Sequence, residues 1–406
     1  MAALPDCRQR GGLAMSRAER TQRVAIVGAG IFGVTAALEL HRRGHAVALF
    51  DPGPLPHPLA ASTDITKMIR MDYGADEFYT ALMEDAFGGW DRWNAEWGEP
   101  LYHETGFLLL AGTPFRPGGF EHDSYETLRR RGHVVERLDA AALKRRFPAW
   151  AAERYPDGYF NPRAGWAESG RVVARLLDQA RERGIAIHTG VTFERVAEGD
   201  ARITGFVDRA GSVHAADVVV VAAGTWTATL LPHLADGMWS VGQPVLHFRP
   251  ADPEAYRPPR FVPWAADSSR TGWYGFAALA DGTFKIANHG PGRRIHPDGP
   301  REVTTEDEAW FRAFLRESLP GLAEAPIIGR RLCPYCDTWD GNFLIDRDPE
   351  RPGLVVASGG AGHAFKFAPM LGPLIADVVD GTPSRYAARF AWRTPGAPTK
   401  EAARHG

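Results

Sequence analysis

The strongest constraint on the fold lies in residues 23–51. Arg23-Val24-Ala25-Ile26-Val27 is a short apolar run with β-branched residues, the pattern of a strand buried in a parallel sheet. Gly28-Ala29-Gly30-Ile31-Phe32-Gly33 follows at once. The spacing then predicts a helix to Arg43, with Val34, Ala37, Leu38 and His41 on one stripe and Gly44 as its stop. His45 to Phe50 reads as a second strand, and Asp51 ends it. Gly28 allows a tight turn, Gly30 lets backbone approach a pyrophosphate, and Gly33 lets the helix pack on the strand. The helix start at Ile31 and Phe32 offers unpaired N–H groups and a partial positive charge to phosphates. Asp51, 18 residues after Gly33, is placed to accept from ribose hydroxyls. The unit predicts a dinucleotide site and does not by itself separate FAD from a nicotinamide dinucleotide.

The chain has 406 residues. Single hydrophobic cores stop growing near ~250–300 residues, so two domains are expected. A formal net charge of −2 gives no reason to expect nucleic acid or an anionic membrane surface as partner. No apolar stretch is long enough to span a bilayer. Residues 1–20 lack the apolar segment of a secretory signal and are expected to be a disordered tail, with Met15 as an alternative start. Of three cysteines, Cys7 falls in that tail. Cys333 and Cys336 make no disulfide framework, which points to a cytoplasmic protein.

Further along, Phe78, Leu82, Ala86, Trp90, Trp93 and Trp97 recur at helical spacing within 75–97 and read as core packing. An amphipathic helix over 168–184 precedes strands at 185–188 and 191–196. Asp217 to Ala222 is a buried strand entering Ala223-Gly224. Residues 273–279 and 283–289 flank Ala280-Asp281-Gly282 as a hairpin. Thr305 with Glu308 fits a capping box for a helix through Leu315. Gly353 to Ala357 is a last strand, running into a glycine-rich turn with Gly360 and Gly362 and a helix from about Phe367. The fold class is α/β: a Rossmann-like nucleotide-binding domain (21–100, 150–234 and 326–395) with a second α+β domain on an antiparallel sheet (101–149 and 235–325). Residues 396–406 are read as a tail.

Two segments carry a family likeness: Leu332-Cys333-Pro334-Tyr335 leading to Asn342-Phe343-Leu344-Ile345-Asp346, and Gly362-His363-Ala364-Phe365-Lys366-Phe367. With the βαβ unit and the segment Ser62–Tyr73, they resemble the amine oxidases of the monomeric sarcosine oxidase type, among the D-amino-acid-oxidase-like flavoproteins. The resemblance covers about residues 22–385. It implies FAD as cofactor, joined through the sulfur of Cys333 to the flavin 8α-methyl. It implies that Gly362, His363, Phe365 and Lys366 lie over the flavin, with Lys366 reaching a substrate carboxylate. Arg70 matches an arginine that holds the same carboxylate. Lys67 stands where sarcosine oxidases usually have another arginine, and the D-I-x-K-x-x-R form is similar to the branch acting on saccharopine or fructosyl amino acids. Tyr274, Lys285 and His289 match active-site positions on the hairpin, Lys285 being the oxygen-activating lysine, and Tyr335 is a further wall. Strand alternation puts Lys285 and His289 on one face.

The residues alone support parts of this. A lysine at the start of a helix meets an unfavourable dipole and needs an anionic partner, which a substrate carboxylate provides. Cys333 and Cys336 also spell C-x-x-C, readable as a redox pair or half a zinc site, but no second pair exists. The expected activity is oxidation of a small secondary amine or amino acid by hydride transfer to flavin, with O₂ as acceptor and hydrogen peroxide as product. The family likeness fits a monomer. A flavin dehydrogenase using another acceptor, and an idle FAD-binding protein, are the alternatives. The sequence leaves the substrate open.

Overall fold

Arg23–Val27 forms a strand whose every residue after Arg23 is buried. It pairs in parallel with Ala46–Asp51 on one side and Val218–Val221 on the other. Leu354–Ser358 continues beside Val218–Val221, Ala186–Thr189 lies beyond Ala46–Asp51, and Leu344–Arg347 closes the far edge antiparallel. Distant segments meet here because each apolar run has two faces to bury: one packs on helices and the other on the three-stranded sheet of Phe193–Glu198, Ile203–Asp208 and Val213–Ala215. The structure, a computed structural model, describes residues 21–399 and Arg404. The expected tail of residues 1–20 lies outside the described residues.

The helix after the glycine turn spans Ile31–Arg42. It is buried on nearly every side, Ile31 through Leu38 and Leu40, rather than along one stripe, and His41 is the stripe member left half-buried. The sheet covers one side, and helices Ala368–Asp380 and Ser169–Glu182 cover the others. The contact with Ala368–Asp380 is backbone-close: a Cβ on Gly372 would stand 2.4 Å from the Thr35 carbonyl oxygen. The helix Glu77–Trp97 starts on Asp76, whose side chain accepts from Phe78 N–H. Its apolar stripe is core as expected, with Leu82, Ala86 and Trp90 buried and Phe78, Trp93 and Trp97 packed against them.

The second sheet is built around one long antiparallel pair. Met238–Phe248 runs against Ile327–Thr338 in register from Met238↔Thr338, and against the hairpin strand Phe284–Asn288 on its other side. The hairpin closes as expected, Trp273 opposite Asn288. Asp157–Asn161 and Ile327–Thr338, read from sequence as parts of the nucleotide-binding domain, are hydrogen-bonded into this sheet instead. Ile327–Thr338 was hard to see because Pro334 argues against a strand. It is tolerated because this strand pairs on one side only. One pair, Phe107–Ala111 with Trp264–Ala266, is parallel, so the sheet is mixed rather than antiparallel throughout.

Two local readings shift. The capping box of helix Thr305–Ser318 uses Thr304 and Asp307, one residue earlier than expected: Asp307 accepts from Thr304 N–H at 2.9 Å and donates its own N–H to Thr304 Oγ1 at 3.2 Å. The segment from 396 is anchored where described: Thr399 N–H donates to Trp339 O, and buried Arg404 pairs with Asp337 at 2.7 Å. Among the described residues no helix is long and apolar enough to cross a membrane.

The helix contact at Gly372 is directly testable. Gly372→Ala forces two backbones apart, and overpacking of this kind costs about 1–3 kcal/mol. Thermal denaturation should show a lowered Tm for Gly372→Ala, whereas Gly381→Ala, at a left-handed C-cap with no close backbone neighbour, tests conformational strain alone.

Candidate active site

The glycine turn is shaped by contact with backbone. Gly28 has φ +101°, donates to Phe50 O at 2.8 Å, and would place a Cβ 2.5 Å from Ala222 O. A Cβ on Gly33 would stand 1.8 Å from Gly28 O. Asp51 braces the same turn, accepting from Ala29 N–H at 2.9 Å and Gly53 N–H at 3.0 Å. A carboxylate has about four acceptor positions, so two remain for a ribose. Above the turn opens a cavity of about 420 Å³. Gly28, Gly30, Ile31, Phe32 and Asp51 line one end; Ala223 and Gly224 follow; Lys67, Tyr274, Cys333, Tyr335, Gly360, Gly362 and Phe365 line the other. The uncapped start of Ile31–Arg42 faces it, and no side chain occupies the space over Gly30 except Ser62 Oγ. A cleft lined by a glycine turn and the start of a helix would suit the phosphates of a dinucleotide.

A second, smaller cavity of about 60 Å³ adjoins it. Lys67, Tyr274, Tyr335, Gly362 and Phe365 line both, so they border the junction. Arg70, Lys285, His289, His363 and Lys366 line the smaller one, beside Met68, Phe107 and Phe276. The sequence candidates therefore converge, although they come from four separate chain segments. Tyr274 and Tyr335 approach through their hydroxyls at 3.3 Å. Burial pushes Tyr274 up to about 12 and raises Tyr335 further, so both stay neutral phenols. Gly362, at φ +77°, would drive a Cβ to 2.1 Å from the Tyr335 ring, so only glycine fits there.

The cations are held by a scaffold the sequence reading did not assign. Lys366 sits in the 3₁₀ turn Ala364–Phe367, one turn before the helix at which it was expected. Its Nζ donates to Tyr73 Oη at 3.0 Å and His363 O at 2.9 Å, and Trp90 Nε1 holds its carbonyl at 2.7 Å. Tyr73 Oη also meets His363 Nδ1 at 3.0 Å. Arg70 donates to Asp72 O and lies over the rings of Tyr73 and Phe107. Behind it the buried Asp72 carboxylate meets Tyr159 Oη at 2.5 Å; burial raises Asp72, and Arg70 opposes that. Lys285 Nζ donates to Asp64 Oδ2 at 2.6 Å and Thr66 O at 2.8 Å. Asp64, Asp72, Tyr73 and Trp90 were not singled out as site residues. One signal was available: the chain has five lysines, Lys67, Lys144, Lys285, Lys366 and Lys400, against a large excess of arginine, and three line this small cavity.

Cys333 and Cys336 both border the larger cavity but belong to opposite faces of their strand. Cys333 packs with Val241, Val245, Ala287 and Tyr335; Cys336 packs into the core under the nucleotide sheet. Both are free thiols, and burial pushes Cys336 up to about 11. Opposite faces rule out the redox-pair reading, and the described residues contain no cluster suited to a metal.

Residues 23–378 match the family model described as FAD dependent oxidoreductase. The chain belongs to that family. This member is 28% identical over 362 residues to monomeric sarcosine oxidase of a Bacillus species, covering 87% of this chain and 91% of the relative. It is 30% identical over 379 residues to N-methyl-L-tryptophan oxidase of Salmonella arizonae, covering 88% and 95%. In three dimensions it is similar to the deglycating fructosamine oxidase Amadoriase II of Aspergillus fumigatus, with TM-score 0.77, 26% identity, and 92% and 89% of the two chains covered. The protein is an FAD-dependent oxidoreductase acting on CH–NH bonds.

The brace at Asp51 yields a prediction. In a Cys333→Ala background, Asp51→Ala should weaken FAD binding about 10- to 100-fold, the loss of hydrogen bonds to a charged group worth ~1.5–3 kcal/mol. FAD affinity by fluorescence titration checks it, and unchanged affinity would remove Asp51 from the ribose.

Proposed function

We propose that this oxidoreductase oxidises a small secondary amine bearing a carboxylate, with FAD attached at Cys333 and O₂ as electron acceptor. The observation that carries the reading is the meeting of Arg70, Lys366, Lys285, Tyr274, Tyr335 and His289 around a small cavity that opens on the cofactor cleft. FAD, which the glycine turn at Gly28–Gly33 and Cys333 would hold, would supply the hydride acceptor for the carbon beside the amine nitrogen, so that the amine becomes an imine that water hydrolyses and the two electrons pass to O₂ as hydrogen peroxide. The chain supplies the rest. Arg70 and Lys366 bind the carboxylate and so orient the reacting C–H bond toward the cleft. Two cations beside the bound substrate also disfavour its protonated amine, and only the neutral amine releases hydride. Tyr274, Tyr335 and His289 wall the cavity and keep it narrow. Lys285 presents a fixed positive charge in a water-poor place, where it stabilises the anion formed as O₂ gains its first electron. The relatives' printed names, a sarcosine oxidase, an N-methyl-tryptophan oxidase and a fructosamine oxidase, share an amine substrate and support this class.

The central test is an anaerobic screen of secondary amino acids for bleaching of the flavin band, followed by peroxide assay in air. Bleaching without peroxide would favour a dehydrogenase, and no bleaching by any amine an idle binder. Lys366→Met should weaken substrate binding by about 10- to 100-fold. The decarboxylated amine should be a poor substrate for the unmodified enzyme; equal performance would dispose of the carboxylate clamp. Acid precipitation checks the covalent bond: the pellet should stay yellow, turn colourless in Cys333→Ala, and stay yellow in Cys336→Ala.

A further inference from the structure

Two cavity lysines share one carboxylate oxygen. Asp64 Oδ2 accepts from Lys285 Nζ at 2.6 Å and from Lys67 Nζ at 2.9 Å, while Asp64 Oδ1 accepts from the N–H of Ile65. The side chains of Lys285 and Asp64 are each 2% exposed, whereas that of Lys67 is 20% exposed at the junction of the cavities. One buried anion therefore serves two cations. The burial of Lys285 disfavours its charge, Asp64 favours it and Lys67 opposes it; the outcome is a lysine pushed down to about 8. Lys67 touches the same oxygen but borders the cavity, and it is raised. Asp64 is held well below the usual carboxylate range, because Lys285, Lys67 and Arg331 outweigh the effect of its own burial.

Other charged or titratable groups surround Lys285, and His289, His363 and Lys366 line the same cavity. His247, its partner across the ladder on Met238–Phe248, is pushed down to about 4 by burial and by Lys285 itself, and is neutral. Arg331, from Ile327–Thr338, is a permanent cation tied to Pro58 O and Ala60 O. Tyr274 and Tyr335 are neutral phenols, Phe276 offers only its ring face at 4.8 Å, and the sulfur of Cys333 is assigned to the flavin. Of the two lysines on Asp64, Lys285 is the one whose charge its surroundings disfavour.

We infer that Asp64 is a positioning residue acting through Lys285: as shared counter-ion of two cavity lysines, it sets the pH range over which Lys285 is a cation and hence over which the enzyme reacts with oxygen. The inference rests on the oxygen role given to Lys285 above. Its sign is fixed by electrostatics. Below the Lys285 midpoint the cation is present, and above it the cation is lost, so reoxidation slows as pH rises through that value. Removing Asp64 removes the anion that favours the charge, so the loss moves to lower pH. Removing Lys67 removes a like charge and leaves Asp64 to Lys285 alone, so the loss moves to higher pH. A residue that merely supports the local structure would not shift the midpoint in opposite directions.

The small number of lysines makes the test direct. In holoenzyme labelled with ¹³Cε-lysine, only five lysines contribute, and the Lys285 resonance is identified by its disappearance in Lys285→Met. A pH titration should give a midpoint near 8 for the unmodified protein. Asp64→Asn should move it down by roughly one to three pH units, the effect of losing an opposite charge in contact. Lys67→Met should move it up, and Asp64→Glu should return it toward the starting value. An unmoved midpoint in Asp64→Asn overturns the inference; if that variant does not fold, a midpoint in Lys67→Met that stays put or falls overturns it equally. Stopped-flow reoxidation by O₂ should fall along the same curves, with acid restoring the rate of Asp64→Asn but not of Lys285→Met. Midpoints that move as stated while reoxidation ignores them would retain Asp64 as the counter-ion and overturn the oxygen role of Lys285 alone.

Discussion

The structure depends on a backbone-to-backbone contact at the first turn. Gly28 donates to Phe50 O while its own carbonyl sits where a side chain on Gly33 would have to go. Ala222, from the far end of the neighbouring strand, closes the third side. Three strands and a helix therefore meet within van der Waals distance with no side chain between them. That closeness brings the Asp51 carboxylate onto the N–H of Ala29. The cofactor end of the cavity is thus a by-product of close packing rather than an added loop.

The other end is made by joining the two sheets. Ile327–Thr338 lies along Met238–Phe248 for almost its whole length and carries Arg331, Cys333 and Tyr335 at alternate positions. Side chains two apart share a face, so one strand presents an arginine, a buried thiol and a cavity wall in a row. Ala361 N–H donates to Cys336 O, which ties the glycine-rich turn before Lys366 to that strand. Rigid elements on both sides hold the cavity, and the precision of a site follows from such support.

Charge is distributed unevenly between the two halves of the small cavity. Arg70 and Lys366 donate to carbonyls and a phenol and lie over aromatic faces. Lys285 is served by a full carboxylate and lies deeper. An arginine-rich chain that places lysine at these points uses a cation whose proton can leave, which a guanidinium does not permit near neutrality.

The nucleotide half was legible in the sequence because its signal is local: an apolar run, spaced glycines, a helical stripe and an acid follow one another within thirty residues, and each has a single stereochemical use. The candidates Arg70, Lys285, His289, Tyr274, Tyr335 and Lys366 were legible through family likeness, not through spacing. What the sequence could not disclose were relations across the chain. Asp64 and Lys285 are separated by 221 positions, and nothing in either segment indicates that they will meet. Trp90 looked like helix core and is that, yet it also holds the Lys366 carbonyl. Ile327–Thr338 was hidden by its proline, since edge position is a property of the sheet and not of the strand. By itself the sequence determined the cofactor fold, since the glycine turn permits few other packings; the tertiary structure alone decided which buried charges share a partner, because burial and Coulomb interaction depend on distance in space.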